Sequence, residues 1–285
     1  MAKLLKGGEV SRAIHAKLAE TVSALAERGI TPCLAAVECG AEADNASYVR
    51  SMRRGCEKLG IAFRHVTLDA ACTEGQLAAT LQQLNADDAV HGLMVLQPLP
   101  AHISAAVLQT IAPAKDVDGV THASRLLPLG IAGVGFLPCT AEACMVLLRH
   151  YGIELRGKRA AVVGRSAVVG QPLSLLLTAA DATVTLCHSR TQDLAACCRE
   201  ADIVIAAAGR PRLLTAQHLR AGQTVLDVGI HVLADGSMCG DVDFAAAEAV
   251  VDAVTPVPGG VGSVTSALLM QHVVQAAAKS IGGLA

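Results

Sequence analysis

Between Arg159 and Pro172 the chain reads RAAVVGRSAVVGQP, and few folds are open to such a stretch. An apolar, β-branched run breaks at Gly164, passes through Arg165 and Ser166, and runs from Gly170 into a helical pattern. That is a strand feeding a glycine-bounded turn and then a helix. Gly164 permits a tight turn and Gly170 a close helix-to-strand approach, while the free N–H groups opening the helix attract an anion. The spacing G-R-S-x-x-x-G is not the ordinary dinucleotide fingerprint, so alone it also fits a plain strand-to-helix connection.

The next branched run, Ala182 to Leu186, ends in Cys187-His188-Ser189-Arg190-Thr191. An NAD-type site usually places a carboxylate here to hold the ribose 2′-hydroxyl. This chain places a hydroxyl and a guanidinium instead, so Arg165, Ser166, Ser189 and Arg190 together favour a 2′-phosphate, and NADP over NAD.

With 285 residues, 52% of them hydrophobic, the chain has enough apolar material for two modest cores. A net charge of −2 and the lack of basic runs argue against nucleic-acid partners or a polybasic membrane patch. No apolar run is long enough to span a bilayer and the first residues carry no leader pattern, so a soluble, cytoplasmic protein is expected. Ten cysteines without a C-x-x-C pair read as reduced, buried thiols, and ten scattered histidines give no metal-ligand spacing, so no metal is expected.

In chain order, apolar periodicity predicts a helix over Glu9–Ala26 and a short buried strand over Cys33–Val37. A loop rich in Gly, Glu and Asp leads to a helix from about Asn45 to Leu59 that sets Tyr48, Met52 and Cys56 on one face. A strand over Ile61–Leu68 follows, then a Thr73–Gln76 capping box opening a helix to Leu84. The strand Val90–Leu96 halts at Gln97-Pro98-Leu99-Pro100, at the carboxyl edge of the sheet where open α/β folds bind ligands. Pro113–Gly119 carries two carboxylates and a lysine, a composition usual for a solvated turn. A Gly- and Pro-rich crossing over 120–137 precedes a helix capped by Thr140, and the nucleotide half adds strands at Asp202–Ala207 and Thr224–Val228. Gly236–Asp243 reads as a surface hairpin or loop, Ala253–Gly262 as a punctuated strand exit, and Thr265–Ala278 as the last helix.

Seven stretches in this order are specific as a set: P-x-K-D-V-D-G at 113–119, P-C-T at 138–140, G-R-S-x-x-V-G-x-P at 164–172, C-H-S-R-T at 187–191, D-V-G-I at 227–230, G-D-V-D at 240–243 and T-P-V-P-G-G-V-G at 255–262. Over nearly its whole length the chain resembles the bifunctional methylenetetrahydrofolate dehydrogenase/methenyltetrahydrofolate cyclohydrolase family. The resemblance implies a two-domain α/β fold, with a folate-binding catalytic domain (1–137 plus 264–285) and an NADP-binding Rossmann domain (138–263) flanking a cleft. It also implies a homodimer formed through the Rossmann domains, with a tetrahydrofolate derivative as substrate. Thr140, Gly164, Arg165, Ser166, Gly170, Ser189, Arg190 and Ile230 would then meet the cofactor. Tyr48, Leu96, Gln97, Asp118, Pro258, Gly259 and Gly260 would surround the folate, with Tyr48, Met52, Gln97 and Asp118 in the catalytic positions.

Departures from the family pattern fall on the pterin side. Where relatives carry a lysine four residues after the tyrosine, this chain has Met52, and the glutamine position is Leu96, with Gln97 one place later. Ala141, Ala143, Ser263 and Val264 depart as well. In the family the lysine moves protons during hydration of the methenyl ion; a thioether has no titratable proton, so Met52 does no acid or base work. Oxidation needs only the methylene carbon placed near the nicotinamide, and is expected to survive. The resemblance thus implies an NADP-dependent oxidoreductase with weak or absent cyclohydrolase activity. Its alternatives are a methylenetetrahydrofolate-dependent one-carbon (methyl) transferase to another acceptor, and a non-catalytic folate or NADP binding protein.

Overall fold

Short branched strands alternating with helices have one economical solution, a parallel sheet with each crossover packed on a face, and this chain builds it twice. A computed structural model describes residues 1–40, 43–131 and 133–282. The first elements are β1 (Lys3–Leu4), α1 (Gly7–Glu27), β2 (Cys33–Cys39), α2 (Ala43–Lys58), β3 (Ala62–Leu68), α3 (Glu74–Ala86), β4 (Gly92–Val95) and α4 (His122–Leu126). There follow α5 (Cys139–His150), β5 (Arg159–Val163), α6 (Gly170–Ala179), β6 (Thr183–Cys187), α7 (Leu194–Glu200), β7 (Ile203–Ala206) and β8 (Thr224–Asp227). The chain closes with β9 (His231–Val232), β10 (Met238–Cys239), α8 (Phe244–Glu248), β11 (Ala253–Val254) and α9 (Val261–Ser280). By packing it divides into two units: Met1–Arg12 with Pro128–Ile131 and Thr140–Thr265, and Ala13–Leu127 with Ala132–Cys139 and Ser266–Ala285.

The second of these units holds a three-stranded parallel sheet in the order β3-β2-β4. β2 is central and almost wholly buried, which is why its sequence is apolar from Cys33 to Val37 rather than alternating. One face packs Ala35, Val37, Leu93 and Val95 against Leu77 and Leu81 of α3. That helix opens with the expected capping box: Thr73 Oγ1 accepts from Gln76 N–H at 3.2 Å, and Gln76 Oε1 accepts from Thr73 N–H at 2.8 Å. Of the loop leading into α2, residues 41 and 42 lie outside the described residues.

The Pro113–Gly119 loop is not the solvated turn its composition suggests. Asp116 is fully buried and accepts from Val120 N–H (3.0 Å), Thr121 N–H (2.8 Å), Thr121 Oγ1 (2.7 Å) and Ser124 Oγ (2.6 Å). A carboxylate can stay buried when this many donors meet it, and here it ties the loop to the start of α4.

The other unit holds a six-stranded sheet, β1-β11-β8-β7-β5-β6, in which every pairing is parallel. β1 is only two residues long, pairing Lys3 with Ala253 and Leu4 with Val254, so no periodicity announces it. It draws residues 1–12 into the unit of the nucleotide half, whereas the sequence groups them with the N-terminal domain. The chain runs from β5 out to β6 and then back across to β7, which makes the carboxyl ends of β5 and β7 a topological switch point, where such sheets bind ligands. Two expectations change in detail. Only the first part of 236–243 is surface hairpin (β9 with β10), because Asp241 turns inward and is fully buried. The last helix begins at Val261, so Gly259 and Gly260 directly precede its first turn.

Candidate active site

Where β5 ends, Gly164 N–H donates to Cys187 O at 2.9 Å, fastening the exits of β5 and β6 together. Gly164 sits at φ +127°, and a Cβ there would overlap Ala207 O, just as a Cβ at Gly170 would overlap Gly164 O. Both glycines are therefore demanded by close backbone approach, as their spacing predicts. Ser166 Oγ accepts from Val169 N–H (3.2 Å) and Gly170 N–H (3.5 Å), shaping the opening of α6.

This turn borders a pocket of about 370 Å³, whose polar lining includes Arg165, Ser166, His188, Ser189, Thr191 and Arg210. No carboxylate lines it among the described residues. His188 N–H donates to Thr191 Oγ1 (2.8 Å) and Arg190 N–H to His188 Nδ1 (3.1 Å), a tight turn with Ser189 on the pocket wall. Arg190 is exposed and not part of that wall, whereas Arg210, which the sequence reading did not single out, is. Thr140 is half-buried in the first turn of α5, and Ile230 is exposed after β8, with its Cδ1 3.1 Å from where a Cβ on Gly262 would stand.

Arg210 owes its place to a buried carboxylate. Asp241 accepts main-chain N–H bonds from Ala208 (2.5 Å), Gly209 (2.9 Å) and Arg210 (2.9 Å), and His231 Nε2 lies 2.8 Å from it. Asp227 in turn accepts from the N–H groups of Gly229 (3.0 Å), Asp241 (2.9 Å) and Val242 (2.9 Å), while burial pushes its carboxyl up to about 6. The D-V-G-I and G-D-V-D stretches are thus one lock behind the turn that follows β7. Asp241 lies in the G-D-V-D stretch, but only the fold shows which loop it grips.

In the other unit, Val49, Met52 and Cys56 form the buried face of α2, at 6%, 3% and 0% exposure. Tyr48 begins that row but is 39% exposed, at its rim. The Arg53 guanidinium lies 5.0 Å over the Phe63 ring and Arg54 is exposed, so neither arginine substitutes on Met52's face. Burial raises the Tyr48 phenol above its ordinary value, and the neighbouring Asp118 carboxylate and Cys139 add to the rise. Asp118 is itself pushed up to about 6, by burial first and then by Asp116, with His272 opposing.

The peptide before Asp118 is held from two sides: Cys139 Sγ–H donates to Val117 O (3.2 Å), and His272 Nδ1 lies 2.8 Å from the same oxygen. Gly119, at φ +74°, turns against Pro138 where a side chain would collide. At the end of β4, Leu96 N–H donates to Val37 O (2.9 Å); Leu96 is buried and Gln97 exposed. Pro258, Gly259 and Gly260 belong to the first unit, in the turn before α9.

A six-stranded parallel sheet with a phosphate-type turn at its switch point, joined to a second α/β unit, defines the class of two-domain dinucleotide-binding proteins. The chain belongs to the tetrahydrofolate dehydrogenase/cyclohydrolase family: residues 5–118 match its catalytic domain and residues 138–281 its NAD(P)-binding domain. It is 48% identical over 283 residues to the bifunctional protein FolD of Chloroflexus aggregans, covering 99% of each chain. Among solved structures it is similar to the bifunctional enzyme FolD, methylenetetrahydrofolate dehydrogenase/cyclohydrolase, of Campylobacter jejuni (TM-score 0.94, 40% identity, 98% of this chain and 100% of that one). It is also similar to the N5,N10-methylenetetrahydrofolate dehydrogenase-cyclohydrolase (FolD) of Trypanosoma brucei, solved with NADP cofactor and inhibitor (TM-score 0.93, 37% identity, 98% of each chain).

Proposed function

We propose that this protein oxidises 5,10-methylenetetrahydrofolate with NADP and hydrates the resulting methenyl ion weakly or not at all. The observation that carries the second half is Met52, buried on the α2 face that starts at Tyr48, with no lysine or arginine on that face. The turn at Gly164 fits a bound dinucleotide, since it lies at the switch point of the parallel sheet and sets Arg165 and Ser166 on the wall of a pocket of about 370 Å³. Arg165, Ser166, Ser189 and Arg210 would hold the phosphates, and the lack of a carboxylate in the pocket lining favours the 2′-phosphate of NADP. When bound, NADP supplies the two-electron acceptor. Asp118, once ionised, would accept hydrogen bonds from the pterin's N–H groups, and the Tyr48 phenol, kept protonated, would donate beside it. Leu96 and Gln97 complete the folate contacts of this unit in this reading. A homodimer through the nucleotide-binding units belongs to it too, supported by the open edge of β6, where Leu186 is 36% exposed.

The test is to give the purified protein methylenetetrahydrofolate and NADP and to follow NADPH and methenyl absorbance separately. NADPH and methenyl ion are expected to rise together and the methenyl ion to persist. Enzymatic loss of the methenyl ion as fast as in a lysine-bearing relative would defeat the reading.

A further inference from the structure

A second cavity, of about 560 Å³, opens at the amino-terminal edge of the three-stranded sheet, the end away from Leu96 and Gln97. His91, the residue before β4, is buried in its wall at 7% exposure. Its Nδ1 accepts the Cys33 N–H at 3.2 Å, and burial, aided by Lys115, holds the ring neutral by lowering its pKa. The ring hydrogen is therefore on Nε2, and no described residue accepts it.

Two cations share the wall. Lys115 Nζ donates to Leu84 O (3.3 Å) and Asp87 O (2.8 Å), which leaves one of its three hydrogens. Lys279 Nζ stands 4.7 Å over the Phe136 ring. Against these stands one carboxylate, the exposed Asp88, so the lining keeps a net positive charge. Ile30, Val90, Val134 and Ile281 supply apolar surface.

We propose that this cavity is a binding site for a small monocarboxylate carried on an apolar or aromatic body. The carboxylate would accept from His91 Nε2–H and the Lys279 ammonium, and the body would lie against Phe136 and the aliphatic wall. Occupancy would also press on the supports of Asp118. Phe136 stacks on His272 (centroids 4.7 Å apart, planes at 26°), His272 Nδ1 meets Val117 O, and Lys115 lies in the loop that carries Asp118.

The experiment titrates the full chain with 2-naphthoate, using its neutral amide as control and following the His91 imidazole by NMR, assigned through its contact with the Cys33 amide. Naphthoate is expected to shift His91 saturably, and the amide to bind roughly ten times more weakly, the cost of one charge-assisted contact. Lys279→Gln, at an exposed position, is expected to weaken naphthoate by a similar factor and leave the amide unchanged. An unmoved His91, equal binding of acid and amide, or a Lys279→Gln protein that binds naphthoate as well as the original would each overturn the proposal.

Discussion

Met52 fills a site that is 3% exposed, with a side chain that packs like an aliphatic one and has no proton to exchange. Met52→Lys, with Leu96→Gln and Gln97→Leu, is expected to create or raise methenyl hydrolysis while leaving NADP affinity nearly unchanged. Burying an ammonium there is expected to cost about 1–3 kcal/mol of stability, read by denaturant titration. Asp118 offers a test in pH. Its folded value of about 6 lies above the ordinary 3.8, so the folded chain holds this proton more tightly than the unfolded chain does. That contribution to stability is complete below the ordinary value and is lost as pH rises to about 6. The ionised form is the one that accepts two pterin donors, so folate affinity is expected to climb as pH rises through about 6 and then level off. Asp118→Asn is expected to remove that climb and to weaken folate at least about tenfold, with NADP binding intact, measured by calorimetry across the same pH range. Retained affinity in Asp118→Asn would return this carboxylate to a structural role, like that of Asp116.

At the scale of elements, the turn from β5 into α6 is legible in the sequence because its backbone admits only glycine at 164 and 170. The turn after β7 is not, since Arg210 takes its place through Asp241, 31 residues further on, whose carboxylate grips three consecutive N–H groups. Asp241→Ala removes all of these and the His231 contact, and is expected to cost about 3–5 kcal/mol of stability. In protein still folded, NADP affinity is expected to fall with it. Among the arginines, the pocket wall separates Arg165 and Arg210 from Arg190, which the sequence ranks equal to Arg165. Arg165→Ala or Arg210→Ala is expected to weaken NADP about tenfold or more while sparing NAD, and Arg190→Ala to do much less. Equal losses for NADP and NAD would remove the 2′-phosphate assignment. Short pieces escape sequence reading for a related reason: β1 exists only because β11 offers an edge to its two residues.

Across the whole molecule, most elements follow from local periodicity, while the grouping of residues 1–12 and the inward turn of Asp241 depend on contacts far apart in sequence. The cysteines show the same split. Irregular spacing points to thiols, and all ten are free. Which of them react is decided by the fold. Cys56, Cys144 and Cys198 are fully buried, and burial pushes each up to about 12. At neutral pH the thiolate of such a group is present at about one part in 10⁵, and thiolate is the reactive form. These three thiols are distributed over both units, so their protection reports on two cores rather than one. Ellman-type titration of the native protein is therefore expected to leave these three unmodified, with the reaction confined to half-exposed thiols such as Cys197 and Cys239. Denaturant is expected to release all ten. Mass mapping that found Cys144 or Cys198 modified as fast as Cys239 in the folded protein would mean that the core around it opens far more readily than this packing allows.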